Sequence, residues 1–150
     1  MKTNIIYFAL ALITGALIPI QASTNAAFSK SMGNPLTTGV MVFIVGFFSM
    51  LIVSIVMKAS IPSVQQLGSA PWYGYAGGII VATYVVMITI LVPHIGVGTA
   101  IALIVTGQII CAVTIDHFGL FNVQVRKMDF SRLAGVLLMV AGIYLVTKKK

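Results

Sequence analysis

"PWYGYAGGIIVATYVVMITILVPHIGVGTAIALIVTGQIICAVTID" runs from Pro71 to Asp116, and its last residue is the first to carry a formal charge. Followed backwards, the uncharged stretch begins directly after Lys58. A helix crosses a bilayer with roughly 20 apolar residues. This run is too long for one such helix. Pro93-His94-Ile95-Gly96-Val97-Gly98 supplies the break, because Pro and Gly punctuate helical patterns. The run therefore reads as a hairpin of two spanning helices, at about 72–92 and 97–117.

The same rule applied outward gives three more segments, at about 4–28, 36–57 and 133–147. Turn signals fill the gaps at 30–35, 60–71 and 119–131. The last helix is short. It reaches across only if residues 129–133 and Lys148 contribute at the interfaces, with long side chains snorkelling. The expected fold is all-α: a polytopic membrane protein with one five-helix transmembrane domain over residues 1–150.

Composition agrees. The chain is 59% hydrophobic and 7% charged, where soluble domains run near 25% charged. Its net charge of +7 comes from nine Lys and Arg set against Asp116 and Asp129. These cations are scattered or terminal and build no groove for nucleic acid. Cys111 is the sole cysteine, so no intrachain disulfide exists. His94, His117, Cys111 and the two Asp share no metal-ligand spacing. Paired carboxylates or a nucleophile–base set at membrane depth are missing, which argues against an enzyme. Neither metal nor cofactor is expected. Lys2 before an apolar run could mark a cleaved leader, but Ile20-Gln21-Ala22 is a poor cleavage site and the uncharged stretch outruns a signal core. An uncleaved first helix is expected.

Five crossings place Lys2, Lys58, Arg126, Lys127 and Arg132 on one side (side A), and Lys30, Lys148, Lys149 and Lys150 on the other (side B). Orientation follows the Lys/Arg excess in short loops, and here the excess is one. Two readings stay open. A detail such as the C-terminal Lys triplet fixes one orientation, or the chain inserts both ways and opposite copies pair. The second would give the pseudo-two-fold symmetry of inverted-repeat transporters.

Polar residues at membrane depth are the candidates for function. Gln108 lies within about 5 Å of the centre of its span at 1.5 Å per residue. An amide there needs a partner, either a neighbouring helix or a solute in a cavity. Ile104, Gln108, Ala112 and Asp116 form one i, i+4 stripe. The first helix carries Thr14, Ile18, Gln21 and Asn25 on one broad face, with Pro19 predicting a kink that frees a carbonyl near Gly15. Thr83 and Tyr84 fall near the middle of the third. Asp116, at a helix C-terminus where the dipole disfavours an anion, calls for a cationic partner among His117, Arg126, Lys127 and Arg132. Proton coupling is its other reading. His94 reads as a loop histidine. Gly74/Gly78, Gly98/Ala102/Thr106 and Gly135/Gly142 recur at helical spacing and read as packing positions. Trp72 and Tyr73 read as interfacial anchors.

These residues carry a resemblance. Gly15-x5-Gln21-x3-Asn25, then Asn34-Pro35 and Gly46, resembles the first half of the YdcZ-like family. The stretch from Pro71 to Phe121 resembles its second half, with Gly107-Gln108 followed after six residues by Ile115-Asp116-His117-Phe118-Gly119. Arg132 and Gly135 before a terminal apolar helix complete a match over nearly the whole chain. That family is similar to one half of the drug/metabolite transporter superfamily, whose larger members have ten helices in two inverted five-helix repeats. The resemblance implies a small-molecule transporter in the inner membrane, built as an antiparallel homodimer. Four-helix multidrug relatives use a glutamate in the first helix for cationic drugs and protons. This chain has no Glu and offers Gln21 and Asn25 there, which argues against proton-coupled export of organic cations.

The expectation is a secondary transporter of a small polar or amphiphilic solute. Gln21, Asn25, Tyr84 and Gln108 would contact the solute, and Gly15, Pro19, His94 and Asp116 would serve gating or coupling. A non-transporting accessory subunit predicts one fixed orientation and a larger partner. A channel predicts flux that does not saturate.

Overall fold

The computed structural model describes residues 2–148. Lys149 and Lys150, which weigh in the charge count, lie outside the described residues. Six α-helices follow in order: α1 Lys2–Met32, α2 Pro35–Val56, α3 Val64–Ser69, α4 Trp72–Ile95, α5 Val97–Phe118 and α6 Phe130–Thr147, with a 3-10 turn at Leu120–Asn122. Each expected segment is a helix. Four of them, α1 from Ile5, α2, α4 and α5, are long and apolar enough to cross a membrane. The apolar part of α6, Phe130–Leu145, falls short of that length.

Two expectations need correction. The break between the hairpin helices lies within the expected stretch 93–98, at Gly96 rather than at Pro93. Helix α4 continues through Pro93 and His94 to Ile95, and the chain turns at Gly96, whose φ of 81° favours glycine. A proline near a helix end forfeits only its own bond to the carbonyl four residues back, so one last turn survives. His94 is accordingly helical, not a loop residue. Its Nδ1 donates to the Ile90 carbonyl at 2.7 Å, since a carbonyl can only accept. The second correction is α3, inside what reads as a loop. Ser63 Oγ accepts from Gln66 N at 3.2 Å, while Gln66 Oε1 accepts from Ser63 N at 2.8 Å. This reciprocal capping box satisfies two free amides.

Local chemistry sets the other boundaries. Asn34 Oδ1 accepts from Leu36 N at 2.8 Å and Thr37 N at 3.4 Å, and Pro35 opens α2 with its φ already suited to a helix. Asn34→Ala is expected to cost about 1 kcal/mol, read as a lower melting temperature in detergent. Asp129 caps α6 by accepting from Arg132 N at 2.8 Å. Inside the spans, hydroxyls bond their own helix: Thr38 to Asn34 O, Thr83 to Ile79 O, Thr89 to Val85 O and Thr106 to Ala102 O. With no water at that depth, this internal pairing is what lets Thr38 and Thr89 be fully buried. Helix α1 runs unbroken past Pro19, and Ser23 Oγ donates to the Pro19 carbonyl at 2.8 Å.

The chain forms two compact units, Met1–His94 and Ile95–Lys150. In the first, α1 packs on α2, and α2 meets α4 where Gly39 faces Val86. Its small core is Ala22, Val85, Ile88 and Val92, with Asn25, Ser29, Thr38 and Thr89 buried among them. In the second, α5 packs on α6 and on the 3-10 turn. Long apolar side chains such as Phe47, Ile79 and Leu138 stand exposed along the helices. In water such faces would mark an interface; a lipid bilayer would solvate them.

Candidate functional site

Helix α1 has one covered stripe. Ala22, Asn25 and Ser29 are buried at helical spacing, and Ile18 is half-buried above them. Asn25 is 6% exposed, and its Nδ2 has no hydrogen-bond partner. An unmet polar atom at such a place costs free energy until something satisfies it. Gln21, one turn earlier, is exposed at the edge of the stripe. It borders a groove of about 460 Å³ with Val42, Phe43 and Gly46 of α2 and Val81 and Val85 of α4. Asn25 borders a second groove of about 400 Å³, with Thr24, Phe28, Met41, Val42 and Val45. The grooves share Val42 and so adjoin along the α1/α2 seam. On α4, the Tyr84 hydroxyl is also buried without a partner.

Gln21, Asn25 and Tyr84 thus belong to the first unit, and Gln21 and Asn25 open on adjoining grooves. Gln108 and Asp116 belong to the second. Gln108 is exposed at the middle of α5 and makes no side-chain hydrogen bond among the described residues. Gly15 is exposed, and a Cβ added there would meet nothing within 4 Å. Pro19 is half-buried.

Asp116 closes the loop after α5. Its Oδ2 lies 3.8 Å from Arg132 Nη1, and its backbone carbonyl accepts from Arg126 N at 2.8 Å. His117 Nδ1 accepts from Met128 N at 2.9 Å. Arg132 also donates to the Arg126 carbonyl at 3.1 Å. These bonds fold residues 119–129 back onto the end of α5. The ion pair is long and its side chains are 34% and 40% exposed, so Asp116→Asn is expected to change stability by less than about 1 kcal/mol. A melting curve in detergent checks this. No cluster of three or more His, Cys, Asp or Glu able to hold a metal occurs among the described residues.

Comparison with known families decides the identity. The profile described as "Putative inner membrane exporter, YdcZ" matches residues 6–145. The chain belongs to this family. No curated protein and no solved structure matches it. As a YdcZ-family chain with several apolar helices, it is a multi-pass inner membrane protein, and the family description supports a role in membrane transport.

In this YdcZ-family chain the grooves are also lined by residues that the sequence did not single out. Val42 walls both grooves, and Phe43 walls the one beside Gln21. Helix α2 is apolar along its length, so no pattern marked which of its faces meets α1. The glycine at a close helix contact is Gly39, where an added Cβ would lie 3.1 Å from Val86 Cγ2. Gly74, Gly78, Gly98, Gly135 and Gly142, which read as packing positions, have nothing within 4 Å of such a Cβ. Periodic small residues mark a face open to close approach; among the described residues no neighbour comes within reach of a Cβ at these five positions.

Proposed function

We propose that this YdcZ-family protein is a secondary transporter that moves a small polar or amphiphilic solute by alternating access, working as an antiparallel homodimer in which α6 completes five crossings. The observation that carries this reading is Gln108. An amide exposed at the middle of a spanning helix, with no hydrogen-bond partner among the described residues, calls for one from outside, because hydrocarbon offers none. A second copy or a solute between copies supplies it. Gln21, Asn25 and Tyr84 are the remaining solute contacts. Pro19 and Gly15 let α1 bend between outward and inward states. His94 and Asp116, at the ends of α4 and α5, take part in gating or coupling.

The test is counterflow in proteoliposomes with a panel of radiolabelled amino acids, sugars, amides and alcohols. Saturable exchange is expected for at least one solute. Gln108→Ala is expected to lower its rate at least tenfold, about 1.4 kcal/mol of lost interaction, with the elution profile and melting temperature retained. Flux rising linearly with concentration would replace the transporter with a channel. No flux, together with a larger membrane protein that co-purifies, would make the chain an accessory subunit.

A further inference from the structure

Asn25 bears on what the solute is. Its side chain is more than nine-tenths buried, borders the α1/α2 groove and leaves an amide atom unmet. The other polar lining residue, Thr24, already donates its hydroxyl to the Gln21 carbonyl at 3.0 Å. The rest of the groove is apolar, with Phe28 and Met41 among its walls. The site therefore offers the Asn25 amide and the accepting side of the Thr24 hydroxyl, set in an apolar wall.

The two helices that form it offer no counter-charge along their spans. Residues 3–29 and 31–57 contain no Asp, Glu, Lys or Arg. Lys30 follows Asn25 by five residues, which at 100° per residue turns it about 140° around α1. It borders a different groove, with Ala26, Gly33 and Pro93. The only two carboxylates of the chain are engaged in the second unit, Asp116 with Arg132 and Asp129 at the start of α6. A charged ligand brought to Asn25 would lose its hydration without a partner charge, a cost that groups within membranes escape by pairing.

We infer that the Asn25 groove takes an uncharged amphiphile: an apolar body carrying an amide or hydroxyl that hydrogen-bonds Asn25. A group that both donates and accepts satisfies the Asn25 amide in either of its two orientations. The groove volume of about 400 Å³ suits a small molecule, with the adjoining groove beside Gln21 as the path along the seam. The inference rests on the assignment of Asn25 as a solute contact under the transporter reading and narrows the class of solute.

Three probes of one shape test it: 4-phenylbutanamide, 4-phenylbutyrate and 4-phenylbutylamine, neutral, anionic and cationic at pH 7. Binding to the purified full-length protein is measured by equilibrium dialysis, in detergent and in nanodiscs of zwitterionic lipid. The amide is expected to bind at least tenfold tighter than either charged analogue in both settings. Asn25→Leu removes the hydrogen bond at similar volume; it is expected to weaken amide binding at least tenfold without lowering the melting temperature, since no protein partner is orphaned. Asn25→Asp is expected to shift the preference toward the amine. Equal or tighter binding of a charged analogue, no saturable binding of the amide, or unchanged amide affinity in Asn25→Leu would overturn the inference. A preference seen in detergent and lost in nanodiscs would also overturn it, by assigning Asn25 to a lipid carbonyl. Binding is read without flux. Selective amide binding with no counterflow would therefore sink the transporter reading alone, and counterflow of a charged solute would sink the inference alone.

Discussion

Gly119→Val is expected to destabilise the second unit by about 3 kcal/mol. Two costs add. Gly119 ends α5 with φ 63°, and a β-carbon in this left-handed region costs roughly 1–2 kcal/mol. An added Cβ would also lie 2.6 Å from Val125 Cγ2, closer than any relaxed contact, and overpacking of this kind typically costs about 1–3 kcal/mol. Rotation of the exposed Val125 side chain can relieve part of this contact, but its backbone is tethered next door by Arg126 N to the Asp116 carbonyl. The measurement is SDS-induced unfolding in mixed micelles, with trypsin cleavage after Lys127 as a local readout. Cleavage after Lys58, in the first unit, is the internal reference. Gly119→Val is expected to speed cleavage at Lys127 alone. Gly119→Val/Val125→Ala is expected to recover the contact cost and retain the backbone cost. Gly135→Ala, where a Cβ meets nothing, is expected to change neither readout.

Gly39→Leu is expected to cost about 2–3 kcal/mol and to act on the first unit. Gly39 is buried beside Thr38, and an added Cβ would stand 3.1 Å from Val86 Cγ2. A Cβ alone could be met by a small shift of the valine; the further three carbons of leucine could not, and α2 would have to move off α4. That seam helps wall the groove beside Gln21, so ligand binding should suffer with stability. Val86→Ala removes the opposing methyl groups. In the double variant the two losses are expected to sum to less than their separate values, as for residues in contact. Strict additivity in SDS unfolding would mean that the two side chains do not meet.

The helices were legible because lipid imposes a simple rule. Every Lys, Arg and Asp falls outside the apolar runs or at their edges, and the uncharged stretches have the length of a span. The ends were less legible, since they depend on local pairing. Pro93 suggested a break, yet α4 keeps one more turn and the chain bends at Gly96. The Ser63–Gln66 capping signal was present in the sequence but lay among turn formers that hid it. Asn25 and Tyr84 were recognisable as polar residues in apolar runs. That their atoms are buried and unmet is a property of the packing. The close contact at Gly39 could not be told from five other glycines, because spacing along one helix says nothing about which face its neighbour covers.

The central claim is that identical copies sit in opposite orientations, and one labelling experiment addresses it. Ser60 is exposed in the connection after α2. Ser60→Cys, in a Cys111→Ser background that removes the only native thiol, places one thiol on side A. Spheroplasts are treated with a membrane-impermeant maleimide before and after permeabilisation. Dual insertion predicts that about half of the molecules label in intact spheroplasts and all of them afterwards, as a Lys/Arg excess of one residue would allow. Labelling of all or none before permeabilisation would establish a single orientation and contradict the antiparallel homodimer.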